Sequence, residues 1–141
     1  GRDRITRDDI DQICVTQITN HIFEMVNAVA GKDQKRALDL YYELLALKEP
    51  PMRILYLITR QFNLLMQVKE LSEEGYSAKT ISERLKMAGF IVRNCLRQAE
   101  YFSLKTLKEA LQDCVRMEEA VKTGRMNDVM SVELLLVKYS S

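Results

Sequence analysis

The chain has 141 residues, 47% of them apolar and 29% charged, with 21 Lys and Arg against 20 Asp and Glu. These proportions exclude a disordered chain and a collagen-like one. The net charge of +1 excludes a globally basic nucleic-acid or membrane binder, so any basic function must be local. No apolar run approaches the roughly 18 residues of a membrane span, and no signal peptide opens the chain, so a cytoplasmic location is expected. The chain starts with Gly1 rather than Met and is read as a piece of a longer protein. Gly and Pro number only five and two and fall where helices stop or start, which predicts an all-α fold.

In chain order, Thr6-Arg7-Asp8-Asp9 reads as a capping-box variant opening a short helix to about Cys14. Residues 15–19 read as a connector. A second helix runs from about Asn20 to Ala30, with Ile22, Met25, Val26 and Val29 on one face and Gly31 after its end. Asp33 caps a third helix reaching about Lys48, with Ala37, Leu40, Tyr41, Leu44 and Leu47 inward. Pro51 suits the first position of a long fourth helix to about Glu74. The apolar start of that helix, Met52 to Ile58, predicts a central element touched on several sides.

Ser77 caps a fifth helix to about Met87, with Ala78, Ile81 and Leu85 inward, and Gly89 is expected to break it. A sixth spans about Phe90 to Tyr101, with Ile91, Cys95, Ala99 and Phe102 on one stripe. Ser103 caps a seventh to about Thr123, carrying Leu107, Ala110, Cys114, Met117 and Val121 on a seam. Asn127 caps an eighth to about Tyr139, with Val129, Val132, Leu135 and Leu136 apolar. The expected architecture is an all-α, compact bundle of about seven helices preceded by a short helix. Residues 1–18 are expected to form the tail of a preceding domain and residues 19–141 the bundle.

Catalytic patterns are missing. No G-x-x-x-x-G-K-[ST], G-x-G-x-x-G, H-E-x-x-H or G-x-S-x-G occurs. His21, the only histidine, has no nucleophile to serve and reads as a first-turn residue beside its cap. Cys14, Cys95 and Cys114 are widely spaced, so free thiols in a reducing compartment are expected. One histidine is too few to complete a Cys/His zinc site. Asp8-Asp9, Glu73-Glu74 and Glu118-Glu119 are adjacent pairs that diverge on a helix and read as solvated faces. No enzyme activity, no cofactor and no metal are expected.

Two features stand above this background. From Arg84 to Lys108 six basic residues face one acidic residue, Glu100. The helix pair Ser77 to Phe102, with Arg93 and Arg97 outward, has the outline of a helix-turn-helix. The loop Lys122-Thr123-Gly124-Arg125 places two cations where a helix C-terminus favours them. Arg93, Arg97, Lys122 and Arg125 are therefore the DNA-facing candidates. Of the Tyr41-Tyr42 pair, one ring is expected inward and the other, Tyr42, outward as an anchor for a partner. With it, Val132, Leu136 and Tyr139 of the apolar C-terminal helix are the subunit-interface candidates.

The order of motifs resembles the C-terminal helical domain of the bacterial DNA polymerase III delta subunit. The resemblance is carried by Ile22-Phe23, Val26-x-Ala28-Val29, Gly31-x-Asp33 and Ala37-Leu38. It continues through Glu49-Pro50-Pro51-x-Arg53-Ile54-Leu55 and Arg60-Gln61-Phe62-x-Leu64-Leu65-x-x-x-Lys69. Phe90-x-Val92, Arg97-Gln98-Ala99, Phe102-Ser103, Lys122-x-Gly124 and Val132-Glu133-Leu134-Leu135-Leu136 follow. It spans roughly residues 20 to 139, and Ile5-Thr6-x-x-Asp9-Ile10 looks like the last helix of that protein's lid domain.

The resemblance implies a clamp-loader collar domain, part of the DNA polymerase III holoenzyme. Such a domain oligomerises with the delta-prime and tau or gamma collars so that the sliding clamp is loaded on primed DNA. The clamp itself would be met only by an N-terminal domain outside this chain, and primed DNA only through the complex. The alternative reading is a DNA-binding regulator fragment using the Ser77 to Phe102 helix pair.

Overall fold

The computed structural model describes residues 17–141. The short helix expected over residues 6–14 and the connector residues Val15 and Thr16 lie outside them. Among the described residues there are seven α-helices and no strand. They are α1 (17–30), α2 (Gln34–Ala46), α3 (Pro51–Glu73), α4 (Ala78–Leu85), α5 (Gly89–Ala99), α6 (Leu104–Lys122) and α7 (Asp128–Ser140).

Local chemistry sets most boundaries. Side-chain oxygens of Asp33, Ser77, Ser103 and Asn127 accept from the amides of Arg36, Thr80, Thr106 and Met130, closing the N-termini of α2, α4, α6 and α7. Pro51 opens α3, where its missing N–H leaves no bond unmade. Gly75 and Gly124 stop α3 and α6 at φ of 98° and 77°, a region that glycine enters without a Cβ clash.

Four expectations change. Residues 17–19 are already helical, because Ile18 packs against the core and holds the first turn in place. Asn20 is therefore an interior residue rather than a cap, and His21 follows it inside α1, half-buried, with Nδ1 3.1 Å from the Gln17 carbonyl. The α4–α5 break falls at Lys86, in the left-handed region at φ 55°, while Gly89 is the first residue of α5. Lys48, at φ 65°, ends the run after α2 in the same way, so Leu47 leaves the helical phase and is 67% exposed. On α5 the inward stripe is Val92, Cys95, Gln98 and Ala99, one position later than expected, and Ile91 turns out to solvent.

α3 is the central element. It packs against α4, α5, α6 and α7, while α2 and α6 each pack against α7. Its inward face is Ile54, Leu55, Ile58, Phe62, Leu65 and Val68, all buried. Its first turns are not covered all round, since Tyr56 is 63% exposed. Phe62 meets Phe102 edge-on, with ring centroids 5.8 Å apart and planes at 85°, the arrangement that aligns ring edge with ring face. Full burial of a side chain such as Ile58 contributes about 1.5–3 kcal/mol, so this helix anchors the core.

Candidate interaction surfaces

Polar groups enter the core at two places. At the α6–α7 seam Asp113 is 7% exposed. Lys138 Nζ and Tyr139 Oη donate to its Oδ2 at 2.6 and 2.5 Å, and Arg116 Nη1 donates to Oδ1 at 3.3 Å. Burial works against ionisation of this carboxyl, but the hydrogen bonds from Lys138 and Tyr139 outweigh it, so its pKa lies below the usual carboxylate value. The Tyr139 phenol is raised by burial and then by Asp113. This cluster fastens two helices and opens into no cavity.

The second place joins three helices. Gln61 Nε2 on α3 donates to Gln98 Oε1 on α5 at 2.9 Å, and Gln98 Nε2 donates to the Phe23 carbonyl of α1 at 3.1 Å. Every buried side-chain nitrogen and oxygen among the described residues has a hydrogen-bond partner, so none is left to hold a ligand. Among the described residues no group of three His, Cys, Asp or Glu side chains could hold a metal ion. Cys95 and Cys114 are buried. Burial raises both thiols, Cys114 to about 11, which keeps them protonated at neutral pH.

The surface carries three distinct features. One is a cleft of about 470 Å³ between α1, α3 and the α4–α5 turn, walled by Phe23, Leu57, Leu64, Met87, Phe90 and Ile91, with Arg60 in its lining. Phe90 is 59% exposed beside it. The second is a smaller hollow lined by Phe23, Asn27, Arg97 and Tyr101. The third lies where α2 packs on α7: Tyr42, Met130 and Leu134 are exposed. Met130 and Leu134 are four residues apart on one helix face.

The residues singled out in the sequence fall as follows. Arg93 and Arg97 are exposed on α5, Arg97 with Nη2 3.4 Å from Asn94 Oδ1. Lys122 is exposed but pairs with Glu118 at 2.8 Å, and that bond raises its pKa. Arg125 Nε donates to Thr123 Oγ1 at 2.9 Å, folding the guanidinium back on its own turn. Tyr41 is buried, its hydroxyl donating to the Val129 carbonyl at 2.8 Å, while Tyr42 is 45% exposed.

Val132, Leu136 and Tyr139 are all buried within the chain's own core. The expectation that these three face a partner is corrected: their stripe packs on α3 and α6, and the outward residues of the same helix are Met130 and Leu134. The sequence reading missed Asp113, Gln61 and Gln98. Asp113 sits on the apolar stripe of α6 beside Ala110 and Cys114, and a carboxylate in that position was the available signal.

With no helix long and apolar enough to cross a membrane and an apolar core shared by seven helices, the class is an all-α bundle domain with exposed apolar strips. Its family follows from comparison with known proteins. The model of the DNA polymerase III delta subunit, C-terminal domain, matches residues 19–139, and the chain belongs to that family. It is 32% identical over 137 residues to the DNA polymerase III subunit delta of Bacillus subtilis (strain 168), covering 97% of this chain and 40% of that protein. A solved structure, the Bacillus subtilis DNA clamp loader delta protein, aligns with a TM-score of 0.83 and 32% identity over 87% of this chain and 36% of the other. The chain thus spans about two fifths of the relatives it matches.

Proposed function

We propose that this chain is the non-catalytic assembly domain of a cytoplasmic clamp-loader delta subunit. It joins the corresponding helical domains of delta-prime and of tau or gamma, so that the sliding clamp is loaded on primed DNA. Residues 1–18 are the tail of the preceding lid domain in this reading. The observation that carries it is the apolar strip Tyr42, Met130 and Leu134 on the α2–α7 pair of a domain whose family is that of the delta subunit. Three such side chains exposed together, beside the acidic Glu133 and Glu43, are the apolar centre and polar edge that a protein interface uses.

Size-exclusion co-elution tests it. The chain is mixed with collar-containing fragments of delta-prime and of tau or gamma at about 150 mM salt, and separately with a primed DNA duplex. Co-elution with the protein fragments, lost in Tyr42→Asp/Leu134→Asp with helicity kept, supports assembly through this strip. Binding to DNA alone, abolished by Arg93→Ala/Arg97→Ala and falling steeply with salt, overturns it in favour of the α4–α5 pair as a DNA reader.

A further inference from the structure

The cleft between α1, α3 and the α4–α5 turn is separate from the α2–α7 strip, and the described residues leave it open. Its walls are apolar, Phe90 and Ile91 standing 59% and 37% exposed at its edge. The charged residue in its lining is a cation, Arg60, and Arg97 lines the hollow beside it. Thr19 and Asn20, in the first described turns of α1, form part of the cleft wall. The chain preceding residue 17 therefore leaves from the mouth of the cleft.

That preceding segment has the complementary chemistry. Ile10, Ile13 and Cys14 are spaced i, i+3 and i+4, and Asp8, Asp9 and Asp11 flank them. An apolar stripe bordered by carboxylates matches an apolar cleft bordered by guanidinium groups. Reach is ample, since even a helical course gains about 1.5 Å per residue. We propose that residues 8–14 of the chain itself dock in this cleft, Ile10 and Ile13 covering Phe90, Ile91 and Leu64, and the Asp8, Asp9 and Asp11 carboxylates lying beside Arg60 and Arg97. The segment that leads into the bundle is then part of its wall, and the orientation of whatever precedes it is set by this contact.

The test uses the 141-residue chain and the anionic dye 8-anilinonaphthalene-1-sulfonate, which lights up on exposed apolar surface. Static light scattering and far-UV circular dichroism run alongside. A filled cleft excludes the dye, so the unaltered chain stays dim. Ile10→Asp/Ile13→Asp, at unchanged helicity, brightens several-fold, and adding Phe90→Asp to that variant removes the gain. Bright dye binding by the unaltered chain overturns the proposal. So does a dim dimer that brightens as it dissociates on dilution, which makes a second copy the occupant. A bright chain that the delta-prime or tau fragments turn dim also overturns it and assigns the cleft to a partner. Because Tyr42 and Leu134 lie outside the cleft, failure here leaves the assembly test untouched.

Discussion

Asp113 on α6 and Lys138 on α7 meet at 2.6 Å, and the same carboxylate oxygen takes the Tyr139 hydroxyl. The lysine end of this pair is half exposed while the aspartate is buried. The hydrogen bonds to the buried carboxylate therefore count for more than the ion pair itself. Asp113→Ala strands the Tyr139 hydroxyl in the core, a loss of about 1–3 kcal/mol, read as a lower midpoint in urea unfolding.

The same carboxyl gives a pH signature. Its folded pKa is depressed, so the stability it contributes is present above the unfolded aspartate value of about 3.9 and is lost as pH falls through the lower folded value. Asp113→Asn cannot titrate. The stability gap between the unaltered chain and Asp113→Asn is therefore constant near neutrality and narrows below about pH 4. Urea midpoints measured from neutral to acid pH decide this, and a gap that widens in acid contradicts it.

α3 offers an inside–outside comparison two residues apart. Ile58 is fully buried and Tyr56 largely exposed. Ile58→Ala should lower stability by about 2–5 kcal/mol, and Tyr56→Ala by no more than about 0.5 kcal/mol. Equal losses would mean that Tyr56 is covered.

Backbone strain supplies opposite signs at two helix ends. Lys86 holds φ 55° and Gly75 holds φ 98°. Lys86→Gly relieves a left-handed lysine and should stabilise by up to about 1 kcal/mol, while Gly75→Ala introduces the clash and should cost about 1 kcal/mol. Thermal unfolding of the two variants reads the signs directly.

Thiol chemistry tests the interior. In a Cys14→Ser background, Cys95 and Cys114 should be inert to Ellman's reagent at about pH 8 and react together on unfolding, because burial withholds both access and the thiolate. Fast native reaction of either thiol would place it at the surface.

Helix starts were legible because capping is local chemistry: Asp33, Ser77, Ser103 and Asn127 each need only an amide three residues on. The long α3 was legible from Pro51 and its apolar run. The α4–α5 break was not, because a lysine rather than a glycine takes the left-handed turn at Lys86. Periodicity names a face without naming what covers it, so Val132, Leu136 and Tyr139 were taken for interface although the chain's own core covers them. The Asp113 cluster depends on α7 returning beside α6, a tertiary fact no window on either helix contains. Gln61 and Gln98 are 37 residues apart, with the same consequence.

The central position of α3 bears on how the domain can fail. Because α4, α5, α6 and α7 all lean on this one helix, a chain severed within it yields no piece that retains a closed interior. Partial loss is therefore not a graded defect. A truncation or nick there is equivalent to deleting the domain, and cellular quality control would see either the whole unit or none of it.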